Sequence, residues 1–197
     1  MARRRILTVP NLISVARLAC VPVFCWLLFD QDRLAAFCLL GALGATDWVD
    51  GWIARRYDQG SDLGKVLDPV ADRVLLLAAA LALLIEGSVP LWVGVAVLAR
   101  EGIVAAATLT LAAAGARRID VQWVGKAGTL LLMFALPGFL LVEVLSAGTA
   151  RTVVQVLTWM CTAGGLALGY YAVAAYVPLA RAALRDGRAA HEESVAA

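Results

Sequence analysis

The sequence predicts an all-α membrane protein whose chain crosses the bilayer six times. Of its 197 residues, 62% are apolar and 16% are charged, whereas soluble domains average about 45–50% apolar and about 25% charged residues. The apolar residues are concentrated in six long runs. Since a helix needs about 20 apolar residues to cross a hydrocarbon core of about 30 Å, the runs and their short connections account for nearly the whole chain. We therefore expect one polytopic domain and exclude a disordered chain.

The six predicted helices follow one another through short polar connections. The first run begins at Pro10, a residue that suits the first position of a helix, and the segment FDQDR ends it. A polar loop from Arg55 to Leu67, and then the segments EGSVP, GARRID and EVLSAGTAR, separate the later runs. The runs lie at about 10–29, 35–54, 68–86, 90–113, 124–145 and 152–177.

Cysteine and histidine usage excludes several kinds of site. The single histidine, His191, lies in a polar C-terminal segment, which excludes a Ser-His-Asp triad and any site that needs several imidazoles. The cysteines lie inside apolar runs without the C-x-x-C spacing of redox or zinc motifs, which favours a role as small core residues. They are Cys20, Cys25, Cys38 and Cys161.

Positive residues flank alternate ends of the predicted helices. They are Arg3, Arg4, Arg5, Arg55, Arg56, Lys65, Arg117, Arg118, Lys126, Arg181, Arg185 and Arg188. The opposite ends carry only Arg33 and Arg151. Because positive residues are enriched in cytoplasmic loops, we expect both termini and the loops after the second and fourth helices to be cytoplasmic, in a multi-pass protein of the cell membrane.

These boundaries divide the chain into three parts. Residues 1–9 form a basic segment suited to the surface of an anionic leaflet, unless its arginines only set the orientation. Residues 10–180 form the six-helix domain, and residues 181–197 form a cytoplasmic tail. The net charge of +2 gives no indication of a nucleic-acid partner.

Four aspartates stand at the membrane boundaries of the second and third helices. Asp47 and Asp50 lie about 60° apart around one helix, and Asp68 and Asp72 lie about 40° apart around the other. Because a short cytoplasmic loop joins these helices, we expect antiparallel neighbours whose acidic faces meet. No basic cluster nearby balances the four charges, so we expect a cation to do so. Ligands that are all oxygen atoms favour Mg²⁺ or Mn²⁺, with Ca²⁺ as a third choice.

Each aspartate also has a purely structural interpretation. Asp68 precedes Pro69 and fits the N-cap of a helix. Asp47 or Asp50 could pair with an arginine of the following loop. Carboxylates within membrane helices are costly and usually functional, so four of them at this spacing favour a joint metal site.

Small residues accompany the aspartates and leave room for a ligand. Gly51 and Ala54 keep one face of the second helix free of bulk, and Gly64 does the same where the third helix begins. Arg55 and Ser61 could donate hydrogen bonds to a phosphate. Metal, arginine and glycine together indicate a pyrophosphate ligand.

These residues fit one continuous motif, D-x-x-D-G-x-x-A-R-x8-G-x-x-x-D-x-x-x-D, without a departure at any fixed position. The motif, the six-helix layout and the length resemble the CDP-alcohol phosphatidyltransferase family. The fixed positions are Asp47, Asp50, Gly51, Ala54, Arg55, Gly64, Asp68 and Asp72.

The resemblance implies an enzyme that transfers a phosphatidyl group from CDP-diacylglycerol to an alcohol and releases CMP. It also implies a homodimer in which the four aspartates bind the metal, and Asp72 is in addition the general base. The residues that the resemblance places at CDP-diacylglycerol are Asn11, Gly51, Ala54, Arg55, Ser61 and Gly64.

A second set of polar residues concerns the acceptor alcohol. Asn11, Ser14 and Arg17 recur every third residue in the first helix and form a polar stripe that should face the interior of the bundle. Arg100 lies deep in the fourth helix and needs an anionic partner, which is either the acceptor or the adjacent Glu101. The basic residues expected to bind a phosphorylated acceptor are Arg17, Arg100, Arg117, Arg118 and Lys126. Arg117 and Arg118 could instead only set the orientation of the chain in the membrane.

The segments T-D-W at 46–48, L-D-P-V-A-D-R at 67–73, A-R-E at 99–101 and W-V-G-K at 123–126 bear on the choice of acceptor. They are most similar to the family members that use glycerol 3-phosphate, the phosphatidylglycerophosphate synthases. The same segments also resemble the cardiolipin synthases of the family, which use phosphatidylglycerol. A phosphatidylinositol-phosphate synthase is a third alternative. We therefore expect glycerol 3-phosphate as the acceptor.

A divalent-cation transporter is the alternative from another class of protein. Its ion pathway should cross the bilayer, whereas these aspartates collect at one side and the opposite ends offer only Asp30, Asp32 and Glu86. The sequence therefore argues against transport.

Gly165 and Gly169 form a G-x-x-x-G pair in the sixth helix, which permits close helix approach. The pair serves either packing within one chain or dimerisation.

Overall fold

The computed structural model describes the backbone of residues 9–57, 64–113 and 123–196, and the side chains of residues 12–46, 70–107 and 124–175. In these residues all regular secondary structure is helical, with six helices and no strand, as the sequence predicted. The helices are α1 (Val9–Phe29), α2 (Arg33–Tyr57), α3 (Gly64–Glu86), α4 (Leu91–Ala113), α5 (Trp123–Val144) and α6 (Thr149–Ala196).

The main differences from the predicted boundaries lie at polar helix ends. Helix α3 begins at Gly64, before the apolar run at 68, and α6 continues to Ala196, well beyond the apolar run that ends at 177. Hydropathy does not mark these ends, because alanine, leucine, arginine and glutamate favour a helix whether or not lipid surrounds it. The 48 residues of α6 extend about 72 Å at about 1.5 Å per residue. The domain boundary at 180 stays a prediction, since α6 runs through it.

The helices pack as one bundle, with α1 in contact with both α2 and α3. Helix α5 packs along α6 and also contacts α2, while α4 contacts α3 and α6. The core between them is almost wholly aliphatic, with Phe24, Leu40, Leu83, Val93 and Leu136 among its buried members.

Glycines bring α5 and α6 into close contact within one chain. A Cβ atom at Gly128 of α5 would lie 2.9 Å from the backbone nitrogen of Gly169 and 3.0 Å from the carbonyl oxygen of Gly165. Further along, a Cβ atom at Gly138 would lie 2.3 Å from Oγ1 of Thr158. The G-x-x-x-G pair of α6 therefore serves packing within the monomer, one of the two roles that the sequence left open.

The surface is that of a membrane protein. By length and composition, three described segments could each cross a membrane, Leu12–Phe29, Val124–Val144 and Thr149–Ala175. Large apolar side chains are exposed on them and on α4, including Trp26, Trp92, Phe134 and Met160. Six crossings remain a prediction for α2, α3 and α4.

A polar cluster joins three helices at the end of the bundle opposite the aspartate motif. Arg33, at the start of α2, donates a 2.6 Å hydrogen bond to Glu86 and forms a 2.8 Å ion pair with Glu143. Ser88 donates to both carboxylates, Glu86 and Glu143. The hydrogen bond to Glu86 raises the pKa of Arg33 above its already high ordinary value, so this guanidinium keeps its charge. We call these four residues the distal cluster.

Candidate active site

The residues of the motif lie at two helix ends. Asp47, Asp50, Gly51, Ala54 and Arg55 lie in the last turns of α2, and Gly64, Asp68 and Asp72 lie in the first turns of α3. Since the backbone is helical at these positions, spacings of three and four residues place the aspartates of each pair on one face of their helix.

Most predicted ligands of the nucleotide and the metal have side chains outside the described residues. This holds for Asn11, Asp47, Asp50, Gly51, Ala54, Arg55, Gly64 and Asp68, whose backbone alone is described, and for Ser61, which lies entirely outside. Among the side chains that the structure describes, no three His, Cys, Asp or Glu residues lie close enough together to hold a metal ion. The metal and nucleotide assignments therefore stay predictions.

Asp72 is the one aspartate of the motif whose side chain is described. It lies on α3 at 24% exposure and accepts a hydrogen bond at Oδ1 from Nη1 of Arg17. Arg17 comes from α1, is 1% exposed, and lies 55 residues away in the chain. The contact follows from the packing of α1 on α3.

This ion pair changes two sequence-based expectations. Arg17 was assigned to the acceptor, but the structure places its guanidinium on Asp72. The four carboxylates were also expected to lack a basic neighbour, and Arg17 supplies one. The predicted polar stripe does face the interior, since Ser14 and Arg17 are both buried. Hydropathy analysis could flag Arg17 as an intramembrane charge, but could not name a partner on another helix.

Arg100 is held in a second buried ion pair, with its neighbour Glu101. Its Nη1 donates to Oε1 of Glu101 and, at 3.1 Å, to Oγ1 of Thr129, and its Nη2 donates at 3.2 Å to the carbonyl oxygen of Gly125. Both charged residues are buried. The ion pair with Glu101, one of the two partners that the sequence allowed for Arg100, is therefore present.

Gly169 makes room for this arginine on α6. A Cβ atom at Gly169 would lie 2.8 Å from Nε of Arg100, so a larger residue here would force the guanidinium to shift. Nε itself is buried without a hydrogen-bond partner. The arginine thereby connects α4 with α5 and α6.

The other residues assigned to the acceptor are only partly described. Lys126 is exposed near the start of α5, and Arg117 and Arg118 lie outside the described residues. Arg73, which was assigned no role from the sequence, directly follows Asp72 on α3 and places a second positive charge near Arg100.

Helices α2 and α3 are bridged by other helices in the residues whose packing is described. Both contact α1 and α5, and both line an apolar cavity with α5, through residues such as Gly44, Leu75 and Met133. The predicted contact between the acidic faces of α2 and α3 concerns residues 47–50 and 68–72, most of whose side chains lie outside the described residues, so it stays a prediction.

The donor set suits a hard divalent cation. The motif offers carboxylate oxygens only, which is the ligand type preferred by Mg²⁺ and Mn²⁺. The described member, Asp72, is a partly exposed carboxylate, although the guanidinium of Arg17 beside it opposes the binding of a further cation. Residues and metal type are therefore compatible.

Comparison with known proteins decides the family. The family model described as CDP-alcohol phosphatidyltransferase matches residues 7–167 of the 197. The chain belongs to the CDP-alcohol phosphatidyltransferase family. The match includes all eight fixed positions of the motif.

Two relatives illustrate the range of CDP-alcohol phosphatidyltransferases that this chain resembles. It is 36% identical over 192 residues to a cardiolipin synthase (CMP-forming) of Streptomyces coelicolor, covering 94% of this chain and 88% of the relative. It is 36% identical over 118 residues to a CDP-diacylglycerol–glycerol-3-phosphate 3-phosphatidyltransferase of Pseudomonas fluorescens, covering 57% of this chain and 60% of the relative. This CDP-alcohol phosphatidyltransferase is accordingly an enzyme of phospholipid synthesis, and nothing supports the transporter alternative.

Proposed function

We propose that this enzyme transfers the phosphatidyl group of CDP-diacylglycerol to phosphatidylglycerol, forming cardiolipin and CMP. The observation that carries the proposal is the similarity to a cardiolipin synthase along 94% of the chain. The proposal departs from the acceptor that the sequence segments favoured, glycerol 3-phosphate.

The charge of the buried polar residues supports a lipid acceptor. Glycerol 3-phosphate carries a phosphate monoester of about two negative charges, since the second pKa of such a group is about 6, whereas the phosphodiester of phosphatidylglycerol carries one. The carboxylate of Glu101 offsets the charge of Arg100, so this pair adds no net positive charge to a site that would bind a dianion.

The reaction is a displacement at the phosphorus atom that bears the diacylglycerol. A primary hydroxyl of the phosphatidylglycerol headgroup attacks this phosphorus, the bond to the oxygen bridging the two phosphates breaks, and CMP leaves with that oxygen. Asp72 accepts the hydroxyl proton. A carboxylate at 24% exposure is accessible to an incoming hydroxyl from the site while α3 holds it in place.

The remaining motif residues hold the nucleotide and the metal. Mg²⁺ or Mn²⁺ bound by Asp47, Asp50, Asp68 and Asp72 would neutralise the pyrophosphate and stabilise the departing CMP. Arg55 and Ser61 donate hydrogen bonds to the CDP moiety, next to Asn11. The small residues Gly51, Ala54 and Gly64 let the backbone approach it.

We further place the enzyme in the cell membrane as a homodimer, with its termini and active site on the cytoplasmic side. The distribution of positive residues supports this orientation, and the family resemblance supports the dimer. Both substrates are membrane lipids, whereas the leaving CMP is soluble and would be released into the cytoplasm.

The test supplies purified protein in mixed micelles with CDP-diacylglycerol, Mg²⁺ and each acceptor in turn, and identifies the lipid product by mass spectrometry. We expect cardiolipin with phosphatidylglycerol. Phosphatidylglycerophosphate formed from glycerol 3-phosphate alone would overturn the proposal in favour of the second candidate, which the relative in Pseudomonas fluorescens supports. Phosphatidylinositol phosphate from inositol phosphate would favour the third. The variant Asp72→Asn serves as the inactive control.

A further inference from the structure

Arg17 is a buried charge whose position requires an explanation. It lies in the middle of α1, in a segment apolar enough to cross a membrane, and only 1% of its side chain is exposed. A charged residue in such a place is costly and is usually retained for function. The polar residue one turn before it, Ser14, is buried as well.

The described contact of Arg17 is with the predicted base. Its Nη1 donates to Oδ1 of Asp72, and this pair fastens the first helix to the third. An acceptor phosphate would have to reach a guanidinium that is almost fully enclosed and already engaged. Arg17 is therefore poorly placed for the acceptor role expected from the sequence.

Stability alone is a weak reason for such a pair. Replacing a buried ion pair by well-packed apolar residues is often neutral or stabilising, whereas removing one partner leaves an uncompensated charge. The pair does have a geometric effect, because a guanidinium bonded to one carboxylate oxygen restricts rotation of the carboxylate. Catalytic groups must be held close to their productive orientation.

We propose that Arg17 is a positioning residue that fixes the carboxylate of Asp72 for proton transfer and takes no part in binding the acceptor. The assignment rests on the proposed function to the extent that Asp72 is the base of that reaction. It adds α1 to the catalytic arrangement, although the sequence motif involves only α2 and α3.

The kinetic test compares Arg17→Met and Arg17→Lys with the unmodified enzyme. We expect Arg17→Met to lower kcat about a hundredfold or more while KM for the acceptor changes by less than about twofold, since only the transition state needs the oriented carboxylate. Arg17→Lys should recover part of kcat, because an ammonium keeps the charge but not the planar guanidinium geometry. A KM for the acceptor raised more than about tenfold with unchanged kcat would overturn the proposal and restore the acceptor role.

A second measurement uses metal-free protein and needs no activity. Thermal unfolding in detergent is compared for Arg17→Met, Asp72→Asn and the double variant. Asp72→Asn should lower Tm because it removes an anionic partner of a buried guanidinium, and adding Arg17→Met should restore much of the loss. Losses in Tm that add in the double variant would show that the two side chains are not coupled, and would overturn the proposal. This result can be obtained even if a single variant is too unstable for kinetic measurements.

Failure of this inference can be told apart from failure of the proposed function. Suppose that the unmodified enzyme makes cardiolipin, but that the Tm losses of Arg17→Met and Asp72→Asn add in the double variant and kcat of Arg17→Met is near normal. The proposed reaction is then retained, and the positioning role of Arg17 is wrong. If the cycle shows coupling but the product comes from another alcohol, the acceptor is wrong and the role of Arg17 is retained, with kcat and KM then measured on that alcohol.

Discussion

At the scale of single residues, Asp72 combines a predicted metal ligand, a predicted base and a described ion pair. We predict that Asp72→Asn nearly abolishes transfer while CDP-diacylglycerol still binds, because the amide keeps the shape and one oxygen ligand but cannot accept a proton. Nucleotide-lipid affinity and single-turnover rate are measured across a metal titration. Recovery of the rate at high Mn²⁺ would show that Asp72 acts mainly as a metal ligand.

The other three aspartates should respond differently. We predict that Asp47→Asn, Asp50→Asn or Asp68→Asn each lowers the rate about a hundredfold, or about 3 kcal/mol of transition-state stabilisation, through weaker metal binding. Because the defect lies in affinity, raising Mg²⁺ or Mn²⁺ should restore part of it. Asp32→Asn, at an exposed position in the loop between α1 and α2, is the matched control. A near-normal rate in one of the three motif variants would show that its aspartate has only a structural role.

Sequence analysis succeeded at the residue scale where spacing within one helix was sufficient. The pairs at 47 and 50 and at 68 and 72 lie on helices, as predicted. Spacing could not identify the partner of Arg17 or choose between the two candidates for Arg100, because both partners depend on packing between helices. Arg17 lies 55 residues from its partner, and Arg100 had two candidate anions between which spacing could not choose.

At the scale of helices, the glycines of α5 and α6 set the distance between the two. We predict that Gly128→Ala or Gly169→Ala destabilises the protein by about 1–3 kcal/mol, since the added methyl group meets backbone in one case and the Arg100 guanidinium in the other. Tm in detergent measures the effect. The control is Gly102→Ala on α4, where a Cβ atom meets nothing within 4 Å and where alanine favours the helix by about 1 kcal/mol. Equal Tm values for all three variants would contradict the close packing.

The helices themselves were largely predictable, and their ends were not. Apolar runs located all six, because a membrane helix must be apolar over most of its length. The polar turns of α3 before Asp68 and of α6 after 177 are helical without being apolar, so hydropathy could not find them. Which helices touch is set by side-chain shape, and the contacts of α1 with α3 and of α2 with α5 followed from no pattern in the sequence.

At the scale of the whole molecule, the orientation in the membrane can be tested directly. In a variant without native cysteines, Ala147→Cys in the loop between α5 and α6 should react with an impermeant thiol reagent added to intact cells. Ala189→Cys should react only after the cells are opened, since the adjacent arginines are expected on the cytoplasmic side. The reverse pattern of labelling would invert the topology and place the aspartate motif outside.

The distal cluster should matter for the assembly of the bundle and little for chemistry. We predict that Arg33→Gln lowers Tm, because Glu86 and Glu143 then face each other without the cation that separates them. KM for either substrate should stay unchanged, since the cluster lies at the opposite end of α2 and α3 from the motif. Parallel Tm and kinetic measurements check both statements, and a raised KM with normal Tm would contradict them.

The ion pair between Arg17 and Asp72 also bears on how the protein is made. Helix α1 precedes α3 in the chain, so Arg17 is expected to enter the bilayer before α3 brings Asp72 beside it. An arginine costs up to about 2.5–3.5 kcal/mol on translocon-based scales, the value for the helix centre, and the other residues of α1 are apolar enough to offset this. The charge stays exposed to lipid or water until α3 is inserted. The catalytic arrangement is thus complete only after both helices have been inserted, because Asp72 of α3 neutralises Arg17 of α1.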